Sequence, residues 1–322
     1  MFVAKAAEPS AAARFGTMTT CVSRVGRHAA LARRDIPAAA SLILPMRFTE
    51  RRWFAADGGS KPGEPLVAPS STARMGNRSW LSRIVGWITN SFGSKLYPDK
   101  VDICNCGVNF GLQLPRIELI EREGLSKDSQ AWRMQMYGAA TYYHLATMPS
   151  KKVADRDVDM LRGKDVLEVA CTRGGGARYL AQVLGPRRYV ATDAAQSFID
   201  TCRSSHPPLD NLEFEVADAV DLTAKFPENS FDYVLVVQAS AEFGDIPGFV
   251  RSVNRVLRPG GRLLMCDPFI RDELKKLLDT FAETGMTHEV EDDISRAVHA
   301  VGLCTVPAGV GYLHIIARKA DE

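Results

Sequence analysis

The 322-residue chain predicts an α/β protein built on a doubly wound, seven-stranded sheet whose last strand runs antiparallel to the rest. Three observations predict it. Short apolar runs alternate with amphipathic helical runs from residue 165 onward, the pattern of parallel strands joined by helical crossovers. One run, Tyr233 to Val237, is apolar throughout and so reads as a central strand covered on both faces. The final strand runs, Leu303 to Val306 and Tyr312 to Arg318, are separated only by Pro307 to Gly311. A parallel crossover needs about a dozen residues or more, so these two are expected to pair as an antiparallel hairpin.

Taken in order, Trp80, Leu81, Ile84, Val85, Ile88 and Phe92 recur at helical spacing. This stripe packs on its own domain or, through residues 80–92, makes peripheral contact with a membrane surface. Residues 128–147 form a second helical pattern through Trp132, Met136 and Tyr143, and put His144 on a lid helix, either reaching a pocket or serving as a satisfied structural histidine. Asp165 to Ala170 is the first strand. The helix after it carries Ala177, Leu180, Val183 and Leu184 on one face and is stopped by Gly185-Pro186. Tyr189 to Thr192 is the second strand, Phe198, Ile199 and Cys202 mark the second helix of the sheet, and Leu212 to Val216 is the third strand. Pro247 opens a helix with Phe249, Val250, Val253, Val256 and Leu257 facing inward. Arg258 to Gly261 breaks it and leads into the strand Leu263 to Cys266.

The organisation expected from this is a basic leader over residues 1–54, a flexible linker over 55–78, a helical cap over 79–150 and the sheet domain over 151–322. Residues 1–54 carry nine basic and three acidic side chains, a net of +6, which leaves −4 for residues 55–322 out of the whole-chain +2. With abundant Ala, Ser and Thr this is the composition of an organelle transit peptide rather than a secretory signal. Arg52-Trp53-Phe54 before Ala55-Ala56 resembles a mitochondrial processing site, so a mitochondrial location is expected, with plastid or cytoplasmic as alternatives. A mildly acidic domain without a basic and aromatic patch argues against nucleic-acid partners. The longest apolar run near the start, Ile36 to Met46, contains two prolines and is far shorter than the roughly 20 residues a membrane span needs. Seven scattered cysteines form no dense disulfide framework and fit a reducing compartment. Cys104-Asn105-Cys106 has no second cluster beside it, and no metal site is expected.

In sheets of this kind, ligands bind at the carboxyl ends of the strands. Glu168 lies near the end of the first strand, and Cys171-Thr172-Arg173-Gly174-Gly175-Gly176 follows, with glycines that let the backbone approach a ligand and begin a helix without Cβ crowding. Asp193 closes the second strand, where a carboxylate accepts both ribose hydroxyls of an adenosine-bearing cofactor. Asp218-Ala219 follows the third, where an acid accepts an adenine amino group.

The runs Leu161 to Val169, Arg173-Gly174-Gly175-Gly176, Asp193, Asp218-Ala219, Ser230-Phe231-Asp232 and Val256 to Gly261 resemble class I S-adenosylmethionine (SAM)-dependent methyltransferases. Within these the chain is most similar to the phthiotriolone/phenolphthiocerol dimycocerosates methyltransferases and their sterol-methyltransferase-like relatives, through the Arg-Gly-Gly-Gly turn and Gln238-Ala239-Ser240. The resemblance implies a Rossmann-like fold, SAM as cofactor, and Glu168, Ala170, Thr172, Gly174, Asp193, Asp218, Ala219 and Gln238 as its binding positions. Two departures stand out. The family has glycine at the positions of Ala170 and Thr172, so a positive φ there strains a side chain. The family's His after the fourth strand is Ala241 here, which leaves Glu242 as the nearest candidate base.

The expected function is therefore methyl transfer from SAM to a small hydrophobic acceptor, a lipid, phenol or quinone-like molecule. The alternative is a degenerate member of the fold with an assembly or interaction role. A nicotinamide-dependent dehydrogenase is disfavoured by the antiparallel ending.

Overall fold

A computed structural model describes residues 101–322 except 104, 106, 122, 123, 128 and 304–308. The leader, the linker, the 80–92 helix and the Cys104/Cys106 pair lie outside the described residues. Seven strands are present: β1 (Asp165–Val169), β2 (Arg188–Asp193), β3 (Leu212–Val216), β4 (Phe231–Val237), β5 (Leu257–Ile270), β6 (Thr287–Asp293) and β7 (Val310–Arg318). They form one sheet in the order β3-β2-β1-β4-β5-β7-β6. The pairs from β3 through β5 are parallel, and β7 runs antiparallel to both β5 and β6.

One predicted element differs. The antiparallel partner of β7 on its outer side is Thr287–Asp293, not the run from Leu303, which begins in a bend. A polar run, Thr-His-Glu-Val-Glu-Asp-Asp, makes an edge strand with few buried positions, and that composition hid it from a search for apolar runs. The connection into β7 is then long enough to hold a short helix, Ser295–Val301.

The helices follow their local chemistry. Helix α1 (Gln130–Leu145) starts where the Ser129 hydroxyl accepts the Trp132 amide at 3.1 Å. Helix α2 (Gly175–Leu184) begins and ends on left-handed glycines, Gly174 and Gly185. Helix α3 is Gln196–Ser205, and α4 (Ile246–Val256) is capped by the Asp245 carboxylate on the Gly248 amide at 2.8 Å, with Pro247 in its first turn. Helices α5 (Arg271–Glu283) and α6 (Ser295–Val301) complete the set among the described residues.

Alternate residues of the sheet feed two apolar layers. Val166, Leu235, Leu264 and Ile316 face one layer with α1 and α2, while Leu167, Val234, Leu263 and Ile315 face the other with α4 and α5. At the amino ends of β1 and β4, Asp165 is held by Arg187 and Arg258, and Asp232 accepts the Asp165 amide at 2.8 Å. Burial opposes ionisation of Asp165, yet the Arg187 and Arg258 guanidiniums hold it below the usual carboxylate range.

The cap is fastened over the start of α2. Gln135 Oε1 accepts the amides of Asp102 and Ile103, both at 3.1 Å, and Gly175 donates to the Asp102 carbonyl at 3.1 Å. A Cβ on Gly176 would run into the Tyr142 ring. Gly176→Ala is therefore expected to lower stability by about 1–3 kcal/mol through overpacking. Chemical denaturation of the wild type and the variant checks this, and equal midpoints would refute it.

Candidate functional site

The carboxyl ends of β1, β2 and β3 converge on one turn. Ala170, Thr172 and Gly174 all have positive φ, at 58°, 49° and 75°. Alanine and a β-branched threonine thus occupy the left-handed region in which glycine is unstrained, at a cost on the order of 1–2 kcal/mol for Thr172. Hydrogen bonds hold the turn in place. Cys171 N donates to the Thr192 carbonyl at 2.8 Å, Gly174 N to the Cys171 carbonyl at 2.9 Å, and Thr172 N to Asp193 Oδ2 at 3.1 Å. The closeness that the glycine run permits is to the protein itself: a Cβ on Gly174 would meet Phe214 and Cys202, and one on Gly175 would meet Asp102.

Asp193 is buried at the tip of β2, and its second oxygen accepts the Ala195 amide at 2.9 Å. Burial pushes its carboxyl up from the usual range, while the Ala195 and Thr172 amides pull the other way. Asp218 is exposed after β3 and folds back on the Val220 amide at 3.0 Å, beside buried Ala219. Gln238, immediately after β4, also has a positive φ of 54° and donates its amide to the Cys266 carbonyl at 2.8 Å. Asp193, Asp218 and the backbone of residues 170–174 thus lie along the edge formed by β1, β2 and β3, and Gln238 lies beyond them at the end of β4.

Glu168 is placed differently from the others. Its carboxyl is fully buried on the cap-facing side of β1, accepting from Tyr142 Oη of α1 at 2.8 Å and from Tyr189 Oη of β2 at 2.6 Å. Desolvation raises its pKa to about 7, opposed by the two tyrosines and reinforced by Asp193. Glu242 lies on the short turn Ser240–Glu242, half-buried, and Ala241 beside it is exposed.

Sequence reasoning passed over Asp267. It is fully buried on β5, accepts the Ser240 amide at 3.0 Å, and is pushed up to about 7 by burial, with Glu242 adding to the shift. The signal was available: Asp267 directly follows the apolar run Leu263 to Cys266, much as Asp193 ends the run of β2. Tyr142 and Tyr189 left no such signal, because aromatic residues in a helix and a strand read as core. Among the described residues no group of three or more His, Cys, Asp or Glu side chains is arranged to hold a metal, and no helix is long and apolar enough to cross a membrane.

Residues 167–265, from β1 into β5, match the family model described as a methyltransferase domain. Over this stretch the chain is similar to a methyltransferase domain. Its doubly wound strand order and antiparallel β7 are a Rossmann-like fold. The chain is 47% identical over 107 residues to a probable phthiotriol/phenolphthiotriol dimycocerosates methyltransferase of Mycobacterium ulcerans, covering 33% of this chain and 40% of that protein. It is 39% identical over 139 residues to a fatty-acid O-methyltransferase of Mycolicibacterium smegmatis, covering 43% and 46%. The chain thus spans less than half the length of these curated relatives. A crystal structure of the cyclase SpnF aligns with a TM-score of 0.51 at 16% identity, over 75% of this chain and 96% of that one. That likeness speaks to the fold alone.

The methyltransferase domain fits SAM on its own residues. A buried carboxylate on β2 faces the edge where a ribose diol would bind, and the backbone after β1 keeps the left-handed turn despite two side chains that resist it.

The Glu168 node has a pH signature. A carboxyl whose folded pKa is raised binds its proton more tightly when folded, so its contribution is complete below the unfolded value near 4.5 and is lost as pH rises through about 7. The stability advantage of wild type over Glu168→Gln is expected to shrink between pH 5 and pH 8. Urea denaturation of both proteins at each pH measures it, and a constant difference would count against the shift.

Proposed function

We propose that this chain transfers the methyl group of SAM to a small, apolar, lipid-like acceptor. One observation carries the reading: Asp193 is buried at the tip of β2 and hydrogen-bonded to the amide of Thr172, inside a turn that keeps positive φ at all three family positions. The names of the relatives, which concern dimycocerosate lipids and fatty acids, support an apolar acceptor.

In this reading, Asp193 receives the ribose hydroxyls and Asp218 with Ala219 borders the adenine. The backbone from Ala170 to Gly174 lies along the methionine part, and Gln238 borders the gap between cofactor and acceptor. When bound, the cofactor supplies an electrophilic methyl on a sulfonium. The protein's own contribution is position: the cap helix and the loop after β4 exclude water and hold the acceptor in line. Glu242, on the short turn after β4, is the carboxylate offered as the base that takes the acceptor's proton. Thr172 and Ala241 in place of the family's glycine and histidine favour the second reading, a member of the fold that serves in assembly or interaction.

Calorimetric titration with SAM separates the two. The wild type is expected to bind, Asp193→Asn to bind about 10- to 100-fold more weakly through loss of charge-assisted hydrogen bonds, and Ala170→Gly/Thr172→Gly to bind at least as tightly as wild type. No heat with the wild type at high micromolar SAM would overturn the enzyme reading.

The net +6 of residues 1–54 supports a further part of the proposal, that the chain is imported into mitochondria. Residues 1–54 fused to a fluorescent protein are expected to direct it to mitochondria. A diffuse or plastid signal would refute this.

A further inference from the structure

Two buried imidazoles lie on the cap-facing side of the sheet, away from the turn after β1. His144, in the last turn of α1, is 5% exposed, and His314, on β7, is 1% exposed. Their ring centroids are 5.1 Å apart in an edge-on arrangement. Neither Nδ1 nor Nε2 of His144 has a hydrogen-bond partner, nor does Nε2 of His314. A folded protein rarely leaves buried ring nitrogens unpaired without a reason.

Their position in the sheet is specific. Glu168 pairs with Leu235, Leu235 with Leu264, and Leu264 with Ile316. His314 is two residues beyond Ile316 toward the carboxyl edge, at the level of Cys266 and the last residue of β4, Val237. The Cys266 carbonyl at this level receives the Gln238 amide. Tyr142 reaches from α1 toward β1 while His144 reaches toward β7, so the last turn of α1 bridges the cap-facing side of β4 and β5. The imidazole pair therefore sits beside the end of β4, on the acceptor side of the cofactor edge. Its surroundings are apolar: Val237, Cys266 and Tyr312 belong to the same buried cluster. Phe110, from the loop before α1, stacks on His144 at 3.9 Å and covers its open face.

We propose that His144 and His314 form the polar end of the acceptor pocket and hydrogen-bond a neutral hydroxyl on an otherwise apolar molecule. This rests on the methyltransferase reading for its place in a reaction, but the hydroxyl subsite is testable without cofactor. A neutral imidazole offers one donor and one acceptor, which a hydroxyl complements in both senses. Burial, His314 and Arg156 push His144 down to about 3, and burial pushes His314 down to about 4, so both rings are neutral near pH 7. A carboxylate would bring an unpaired charge beside two uncharged rings. The cation beside His144 is Arg156, which lies over the Tyr143 ring and donates Nη1 to the Thr147 hydroxyl while its Nη2 has no partner, so a carboxylate probe is the control that separates a hydroxyl subsite from an anion subsite. Phe110 would swing aside to admit the ligand, and Gly111 follows it with open space where a Cβ would stand.

The test uses the full chain without cofactor and three probes, 4-hexylphenol, 4-hexylbenzoate and hexylbenzene. The phenol is expected to bind at least about 10-fold more tightly than the other two, one hydrogen-bonded group being worth roughly this factor. It is expected to move the imidazole 15N resonances of His144 and His314 in histidine-labelled protein. His144→Phe, which keeps the ring and its stacking on Phe110, is expected to erase the preference for the phenol. His314→Phe serves as a second variant. The proposal is overturned if the phenol does not bind, if the benzoate binds more tightly, or if the imidazole resonances stay fixed while it binds. SAM titration of the same proteins reports on the cofactor edge separately, so loss of SAM binding with phenol binding intact would refute the enzyme reading and leave the hydroxyl subsite standing.

Discussion

The buried carboxyl of Glu168 organises what surrounds it. A carboxylate taken fully out of water costs several kcal/mol unless hydrogen bonds replace its hydration, and here the replacements come from two different elements. Tyr189 belongs to the adjacent strand and is in place once the sheet forms, whereas Tyr142 arrives with the cap helix. The need to satisfy Glu168 therefore couples docking of α1 to formation of the sheet. It also fixes where the Tyr142 ring lies, which in turn requires the second residue of α2 to be glycine. A single buried acid thus ties together the cap, the glycine run and the spacing between α1 and α2.

The turn after β1 shows how a strained backbone persists. Thr172 is poorly suited to positive φ, yet its amide is bound by Asp193 and its carbonyl receives the Cys202 thiol at 3.2 Å. Neighbouring amides are bonded to β2 and within the turn itself. These bonds offset a strain of on the order of 1–2 kcal/mol and keep the family's backbone path with different side chains on it. The path belongs to the fold, while the side chains at Ala170 and Thr172 alter what lies along it.

The sheet and the cap face make different contributions. The edge formed by β1, β2 and β3 carries the turn after β1 and the buried Asp193 bonded to it. The face between α1, β5 and β7 carries the paired imidazoles of His144 and His314. Fold likeness alone cannot assign the reaction, since a cyclase shares the architecture. Residues at the acceptor end carry that information.

Much of the sheet was legible in the sequence because a parallel sheet covered on both faces writes itself as uninterrupted apolar runs. Leu212–Val216 was bounded as observed, and the cap helix over 128–147 was found by its periodicity. The placement of Asp193 at the end of β2 and of Asp218 just after β3 was readable because apolar runs mark where those strands stop. The edge strand Thr287–Asp293 was not, since a half-exposed polar strand has no apolar signature. Nor could the sequence reveal that the glycine run makes room for Phe214, Asp102 and Tyr142, or that His144 meets His314 across 170 residues of chain. Local periodicity and turn chemistry act between near neighbours, so the sequence alone determined the alternation of strands and helices from β1 to β5 and the antiparallel last strand, but not that strand's outer partner or the helices on either side of it. Which side chains share a buried space depends on how distant elements pack, and only the tertiary structure decided it.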